Sequence, residues 1–259
     1  MPTRPDPAPG SARQATPGIR FNDRVIVFGS SGSGKSTLIN HLAAGVTCQV
    51  LIWDSKDELI VPGVTPVEDP ARIRWKDRII HVVDDTCDLE NVSRLFDLCW
   101  QRKATREEIS PDGAIPRGYG LVVVVHELGD VCLDQPNRAP RSFINFAKKG
   151  RQRALGLIAG SQRPVNIPRT GRTEVQHVMT FAGGLDPDDL PVVAKMHRMP
   201  AGAFEHALAD TQARYGEHAF IWHNRRLNTN TIKPPLPDHL RNQTIAHIIE
   251  QEHPDRGAP

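Results

Sequence analysis

The sequence predicts an α/β fold, a mainly parallel sheet sandwiched between helices, on three observations. Seven short apolar runs alternate with helix-like segments. Those runs are near-continuously hydrophobic rather than alternating, as strands buried on both faces must be. The first run feeds directly into a glycine-rich loop that opens a helix. With 259 residues and 39% apolar content, one sizeable core is the economical count.

The elements follow in order. Val25–Phe28 is the first strand, and Ser36 to Ala44 the helix after the loop. Val50–Trp53 and Ile79–Val83 read as the next two strands. From Asp88 to Lys103, Leu89, Val92, Phe96 and Cys99 fall on one helical stripe, with Asp88 placed to cap it. Ala104 to Gly118 is charged, then rich in Pro and Gly, and reads as a surface connection. Leu121–Val125 is the fourth strand. A helix from about Arg138 to Lys149 should end near Gly150. Leu155–Ala159, Val178–Ala182 and Ala219–Trp222 complete the strands. Residues 1–18 hold five prolines and read as a mobile arm, 19–233 as the folded body, and 234–259 as a tail. In that tail Asp238 can cap a short helix carrying Leu240, Ile245, Ile248 and Ile249.

The formal net charge is only +2, so bulk basicity does not announce a nucleic-acid binder; any such contact must use local cations. Cys48, Cys87, Cys99 and Cys132 show no C-x-x-C spacing and read as small core residues in a reducing compartment. No apolar run approaches the ~18 residues that cross a bilayer, and the first eighteen residues lack a signal-peptide core. The expected location is the cytoplasm. His197, His206, His218 and His223 lack metal-site spacing and read as structural or surface residues.

Residues 29–36 read Gly29-Ser30-Ser31-Gly32-Ser33-Gly34-Lys35-Ser36, a complete G-x-x-x-x-G-K-[ST] loop between strand and helix. Backbone N–H groups of such a loop cradle phosphates at the positive end of the helix dipole. Lys35 would reach the β- and γ-phosphates of ATP, Ser36 would offer its hydroxyl to Mg²⁺, and Thr37 extends the polar rim. In parallel sheets ligands lie beyond the carboxyl ends of the strands, so residues just after each run are the next candidates. His126 and Glu127 follow the fourth run, and Glu127 is placed to activate water and to help hold the metal. His126 stands where an Asp is usual and can reach a metal only through water. Gln162 follows the fifth run, where an amide can bond the γ-phosphate or the attacking water. The basic segment Lys148-Lys149-Gly150-Arg151-Gln152-Arg153 just before that run offers a guanidinium suited to stabilise the transferring phosphoryl group of a neighbouring copy.

Taken together, the phosphate loop, Asp54-Ser55-Lys56-Asp57-Glu58, Glu127, Gly150-Arg151, Ser161-Gln162-Arg163-Pro164 and Leu185-Asp186-Pro187-Asp188-Asp189-Leu190 resemble the FtsK/HerA superfamily in content and order. The resemblance spans roughly Arg20 to Trp222. It implies a RecA-like P-loop ATPase core, ATP and Mg²⁺ as cofactors, a hexameric ring, and translocation of double-stranded DNA. It also implies catalytic roles for Lys35, Glu127, Gln162 and Arg151, while His126 departs from the superfamily's Asp. The short form without membrane segments looks most like a viral genome-packaging ATPase, acting in host cytoplasm or at a virion vertex, with a portal or membrane docking protein as partner. Arg102, Lys103, Arg163 and Arg169, with Arg106 and the Arg138–Arg141 region, are candidates for contact with the DNA backbone. Three other readings stay open: a conjugation or phage-assembly motor of the same superfamily, a nucleotide-gated assembly factor that hydrolyses weakly, and a P-loop kinase, which would need an arginine-bearing lid.

Overall fold

The computed structural model describes residues 18–57, 59–109, 120–131 and 139–241. Its eight strands are β1 (Arg24–Phe28), β2 (Gln49–Asp54), β3 (Ile79–Val83), β4 (Leu121–Val125), β5 (Leu155–Ser161), β6 (His177–Phe181), β7 (Phe220–Asn224) and β8 (Thr229–Lys233). The helices are α1 (Lys35–Ala44), α2 (Leu89–Gln101), α3 (Arg141–Lys149), α4 (Arg169–Thr173), α5 (Leu190–Met196), α6 (Ala201–Tyr215) and α7 (Asp238–Arg241). All strands form one sheet in the order β3-β2-β4-β5-β1-β6-β7-β8. The first six are parallel, and β7 and β8 close one side antiparallel.

Period-two alternation inside the apolar runs divides the core between two layers. Ile26, Phe28, Leu51, Trp53, Val123, Val125, Leu155 and Leu157 face one cluster, where α2, α3, α5 and α6 supply Phe96, Phe143, Phe146, Val193 and Phe204. Val25, Val27, Val50, Ile52, Val122, Val124 and Ile158 face the other, covered by Leu38 and Ile39 of α1. Phe96 meets Phe143 and Phe146 edge-on at centroid separations of 5.1 and 5.3 Å, which locks α2 to α3. Asp88 caps α2 as the sequence predicts, accepting from the Glu90 N–H at 3.1 Å. Leu89 of the predicted stripe is exposed, however, because it sits in the first turn before the helix reaches the sheet.

Two glycines set the position of the central strand. A Cβ on Gly156 would lie 1.8 Å from the Phe21 carbonyl oxygen, so the segment entering β1 crosses directly over the start of β5. A Cβ on Gly160 would lie 2.7 Å from the His126 carbonyl oxygen, so the end of β5 touches the tip of β4. Glycine is the residue that allows backbone this close.

The seven apolar runs become β1 to β7; β3 and β4 match end for end, and the others differ by one or two residues. β8 is an addition, an exposed polar edge strand paired to β7. The α3 helix starts at Arg141 rather than near Arg138, which lies outside the described residues, and Gly150 ends it by turning into a 3-10 turn over 150–153. Cys87 and Cys99 are buried, Cys48 half-buried, and all three are free thiols; burial pushes Cys48 up to about 11 and Cys87 up to about 12. Cys132, the arm over 1–17, Glu58, most of the 104–118 connection and the tail beyond 241 lie outside the described residues. Among those described, no helix is long and apolar enough to cross a membrane.

Candidate active site

The order β4-β5-β1 brings three strand tips together. β1 ends in the phosphate loop, β4 in His126-Glu127, and β5, lying between them, in Ser161-Gln162. They line one cleft of about 390 Å³ with Ser31, Gly32, Gly34, Lys35, Ser36, Thr37, Asp54 and Lys56. Gly34 opens α1 at φ 101°, a backbone that side-chain-bearing residues rarely adopt, and so lets the loop turn into the helix. Gly29 and Ser33 of the loop are buried and Ser30 is exposed, and none of the three lines the cleft. Lys35 is buried and its Nζ donates to the Ser30 carbonyl at 2.7 Å; burial lowers its pKa.

Glu127 is held by three donors. Ser161 Oγ donates to Oε1 at 2.6 Å, the Gln162 N–H to Oε2 at 3.0 Å, and the Gly129 N–H to Oε1 at 3.4 Å. Burial raises the Glu127 pKa, while the Ser161 and Gln162 bonds pull it down. A fixed, partly desolvated carboxylate beside a phosphate cradle is what orienting and deprotonating a water requires. Asp54 shapes the facing wall, accepting from the N–H groups of Lys56 at 3.2 Å and Leu59 at 2.8 Å, with His81 3.4 Å away.

His126 is neutral. Burial drives its pKa to about 4, with Asp54 opposing, and its Nε2 is buried with no hydrogen-bond partner among the described residues. A divalent cation with ATP would meet mainly oxygen donors here, the Ser36 hydroxyl and the Asp54 and Glu127 carboxylates, which suits Mg²⁺. The donor set fits, with His126 contributing no charge.

His197, pinned between Thr180 Oγ1 (2.8 Å) and Asn230 Oδ1 (2.9 Å), is likewise lowered by burial to about 4. Each imidazole titrates near 6.5 when unfolded, so between pH 6.5 and 4 the unfolded chain binds more protons than the native one. Stability is therefore complete above pH 6.5 and lost as pH falls towards 4, by about 3 kcal/mol for each histidine. Urea unfolding at stepped pH reads this loss directly, and His197→Gln should flatten part of it.

The sequence-predicted residues divide by place. Lys35, Ser36, Thr37, Glu127, Gln162 and His126 converge on the cleft. Arg151 lies in the 3-10 turn before β5, at the opposite end of the sheet, roughly 20 Å away along seven strand residues. It cannot serve its own chain's cleft. The four DNA candidates do not form one stripe. Arg102 stacks on Trp75 and Lys103 on Trp100 near the amino ends of the strands. Arg163 follows β5 and pairs with Asp189 and Asp186, and exposed Arg169 opens α4.

Sequence motifs alone missed two supports of the site. Ser161, the donor to Glu127, sits in the Ser-Gln-Arg-Pro motif without a partner being evident. His218 Nδ1 meets the Ser33 carbonyl at 3.0 Å from the turn before β7, and no local pattern marks it. Ser30 Oγ likewise donates to the Gly183 carbonyl at 3.0 Å. The phosphate loop is thus braced from the β6 side.

No protein-family model matches the chain. In sequence it is similar to the DNA translocase FtsK of Corynebacterium glutamicum, 25% identical over 182 residues, covering 61% of this chain and 20% of that protein. It is also similar to Protein P9 of Pseudoalteromonas phage PM2, 28% identical over 154 residues, covering 58% of this chain and 63% of that protein. The chain thus spans about a fifth of the length of its FtsK relative. In structure it resembles the genome packaging NTPase B204 from Sulfolobus turreted icosahedral virus 2 in complex with AMPPCP, with TM-score 0.62, 17% identity, and 84% of this chain and 100% of that one covered. The cytoplasmic domain of the Thermomonospora curvata Type VII secretion ATPase EccC gives TM-score 0.52 at 15% identity, over 85% of this chain and 25% of that one. The fold is the RecA-like P-loop NTPase fold, and the sequence relatives agree with the resemblance carried by the motifs.

Proposed function

We propose that this chain is an ATPase motor that translocates double-stranded DNA, of the genome-packaging kind, working as a ring with ATP held at boundaries between copies. The observation that carries the reading is the Glu127 carboxylate, fixed by Ser161, Gln162 and Gly129 beside the phosphate loop. A kinase positions an acceptor hydroxyl under a closing lid, whereas a fixed carboxylate at this place is suited to position water. DNA as the track is supported by the relatives, one named a DNA translocase and one solved as a genome packaging NTPase.

In this reading Lys35 and the loop amides hold the β- and γ-phosphates, and Glu127 takes the proton of the attacking water. Gln162 orients that water against the γ-phosphate. Mg²⁺, held by Ser36, would neutralise charge on the phosphates and leave the protein to supply direction. Arg151 of a neighbouring copy completes the site.

A second reading, a nucleotide-gated assembly factor, is favoured by His126, which adds no negative charge at the metal position. Steady-state ATP hydrolysis with and without linear double-stranded DNA, with assembly followed in parallel, separates the two. Turnover that rises several-fold with DNA is expected; tight ATP binding without turnover in the assembled protein moves the assignment to the assembly factor.

A further inference from the structure

We propose that the ion pair between Arg163 and Asp189 is a positioning device for the tip of β5, holding Gln162 in register with Glu127; the inference rests on the hydrolytic reading above. Asp189 occupies the N-cap position of α5, where an aspartate ordinarily accepts from the first-turn N–H groups. Here it makes no cap bond and its backbone is already helical, at φ −82° and ψ −25°. The carboxylate turns away from its own helix. Its Oδ1 accepts from the Val165 N–H at 2.9 Å and its Oδ2 lies 3.0 Å from Arg163 Nε.

Asp189 is fully buried, whereas the Arg163 side chain is 49% exposed. The cation has therefore been drawn to a buried anion rather than the reverse, and Asp186 Oδ2 steadies Arg163 NH1 from 3.4 Å. Pro191 takes one donor out of the first turn of α5 and Asp186 caps the turn before it, accepting from the Asp188 N–H at 3.0 Å, so the Asp189 carboxylate is left to serve the tip of β5.

The geometry leads from that pair to the cleft in two steps. The Arg163 N–H donates to Ser161 Oγ at 3.1 Å, and Ser161 Oγ donates to Glu127 Oε1. Gln162 is thus flanked on one side by a residue anchored to Glu127 and on the other by one anchored to Asp189. Its own N–H is anchored to Glu127 as well. Pro164 follows and restricts the backbone of Arg163, so little freedom remains to absorb a displaced guanidinium. Release of the pair would let the Gln162 side chain leave the line of attack while leaving the phosphate loop on β1 untouched.

The test is a double-mutant cycle on kcat between Arg163→Gln and Gln162→Ala, with binding of a fluorescent ADP and thermal unfolding measured on every variant. A misplacement on the ångström scale lowers rate about 10²-fold. We expect Arg163→Gln to lose kcat to that extent with ADP affinity held within twofold, and to lose nothing further in the Gln162→Ala background. A kcat unchanged in Arg163→Gln, or a loss that multiplies with Gln162→Ala, overturns the proposal. Should Arg163→Gln not fold, Asp189→Asn removes the buried charge while keeping an oxygen for the Val165 N–H, and the same cycle is decided in the same way. Wild-type protein without ATP hydrolysis overturns instead the reading on which the pair depends.

Discussion

Glu127→Gln is expected to bind ATP within about twofold of wild type and to hydrolyse it about 10³-fold more slowly, the size of a general-base contribution. The substitution keeps the volume of the side chain and removes its charge and basicity. Two of the three bonds that hold Glu127 can survive it, while the long Gly129 N–H contact, which shares its oxygen with Ser161, loses its acceptor. The amide oxygen can keep the Gln162 N–H, and the Ser161 hydroxyl, which donates to Glu127 now, can rotate to accept from the new NH₂. Stability should therefore move little, and what is lost is the proton acceptor. Single-turnover hydrolysis and ATP binding measured on the same sample check this. Weaker ATP binding with an unchanged single-turnover rate constant at saturation would mean that Glu127 contributes to ground-state affinity only, and would remove it from the role of base.

The second large effect concerns Arg151. Arg151→Ala is expected to cost about 10³-fold in turnover, as removal of an arginine that stabilises phosphoryl transfer does, without changing nucleotide affinity. The decisive experiment is mixing. Its position at the amino end of β5 puts it a whole strand away from its own phosphate loop. In a mixture of Arg151→Ala with Lys35→Ala, an intact cleft on one chain can meet an intact arginine on the next, and activity should reappear above that of either variant alone. Mixtures that stay inactive although the chains co-assemble would make Arg151 a residue of the basic end and nothing more.

Much of this molecule was legible because its chemistry is local in sequence. The phosphate loop needs its glycines, lysine and serine in one octet, and each parallel strand announces itself as an unbroken apolar run. What was illegible depends on pairing across distance. β8 carries Thr229, Asn230, Thr231 and Lys233 and lies exposed at the edge, so it has no apolar run to display. Helix α6 went unnoticed although Phe204, Leu208 and Thr211 bury one face at helical spacing. Asp189 was visible as part of a motif, but its partner Arg163 lies 26 residues earlier and nothing in either segment predicts the join. His218 reaches the loop across 185 residues. Arg163 also shows the limit of composition: nothing in its basic loop tells that this cation meets two carboxylates.

The glycines at the two ends of β5 have a consequence for how the chain finds its fold. Gly156 and Gly160 each sit against a foreign backbone oxygen, from Phe21 and from His126. If β5 were to add to the sheet one residue out of step, leucine would occupy the first slot and alanine or serine the second, and two collisions would occur together. Misaligned β5 is therefore excluded by shape before any hydrogen bond is scored. The sheet proofreads its own central strand, and the distance between catalytic tips is fixed at the moment that strand docks.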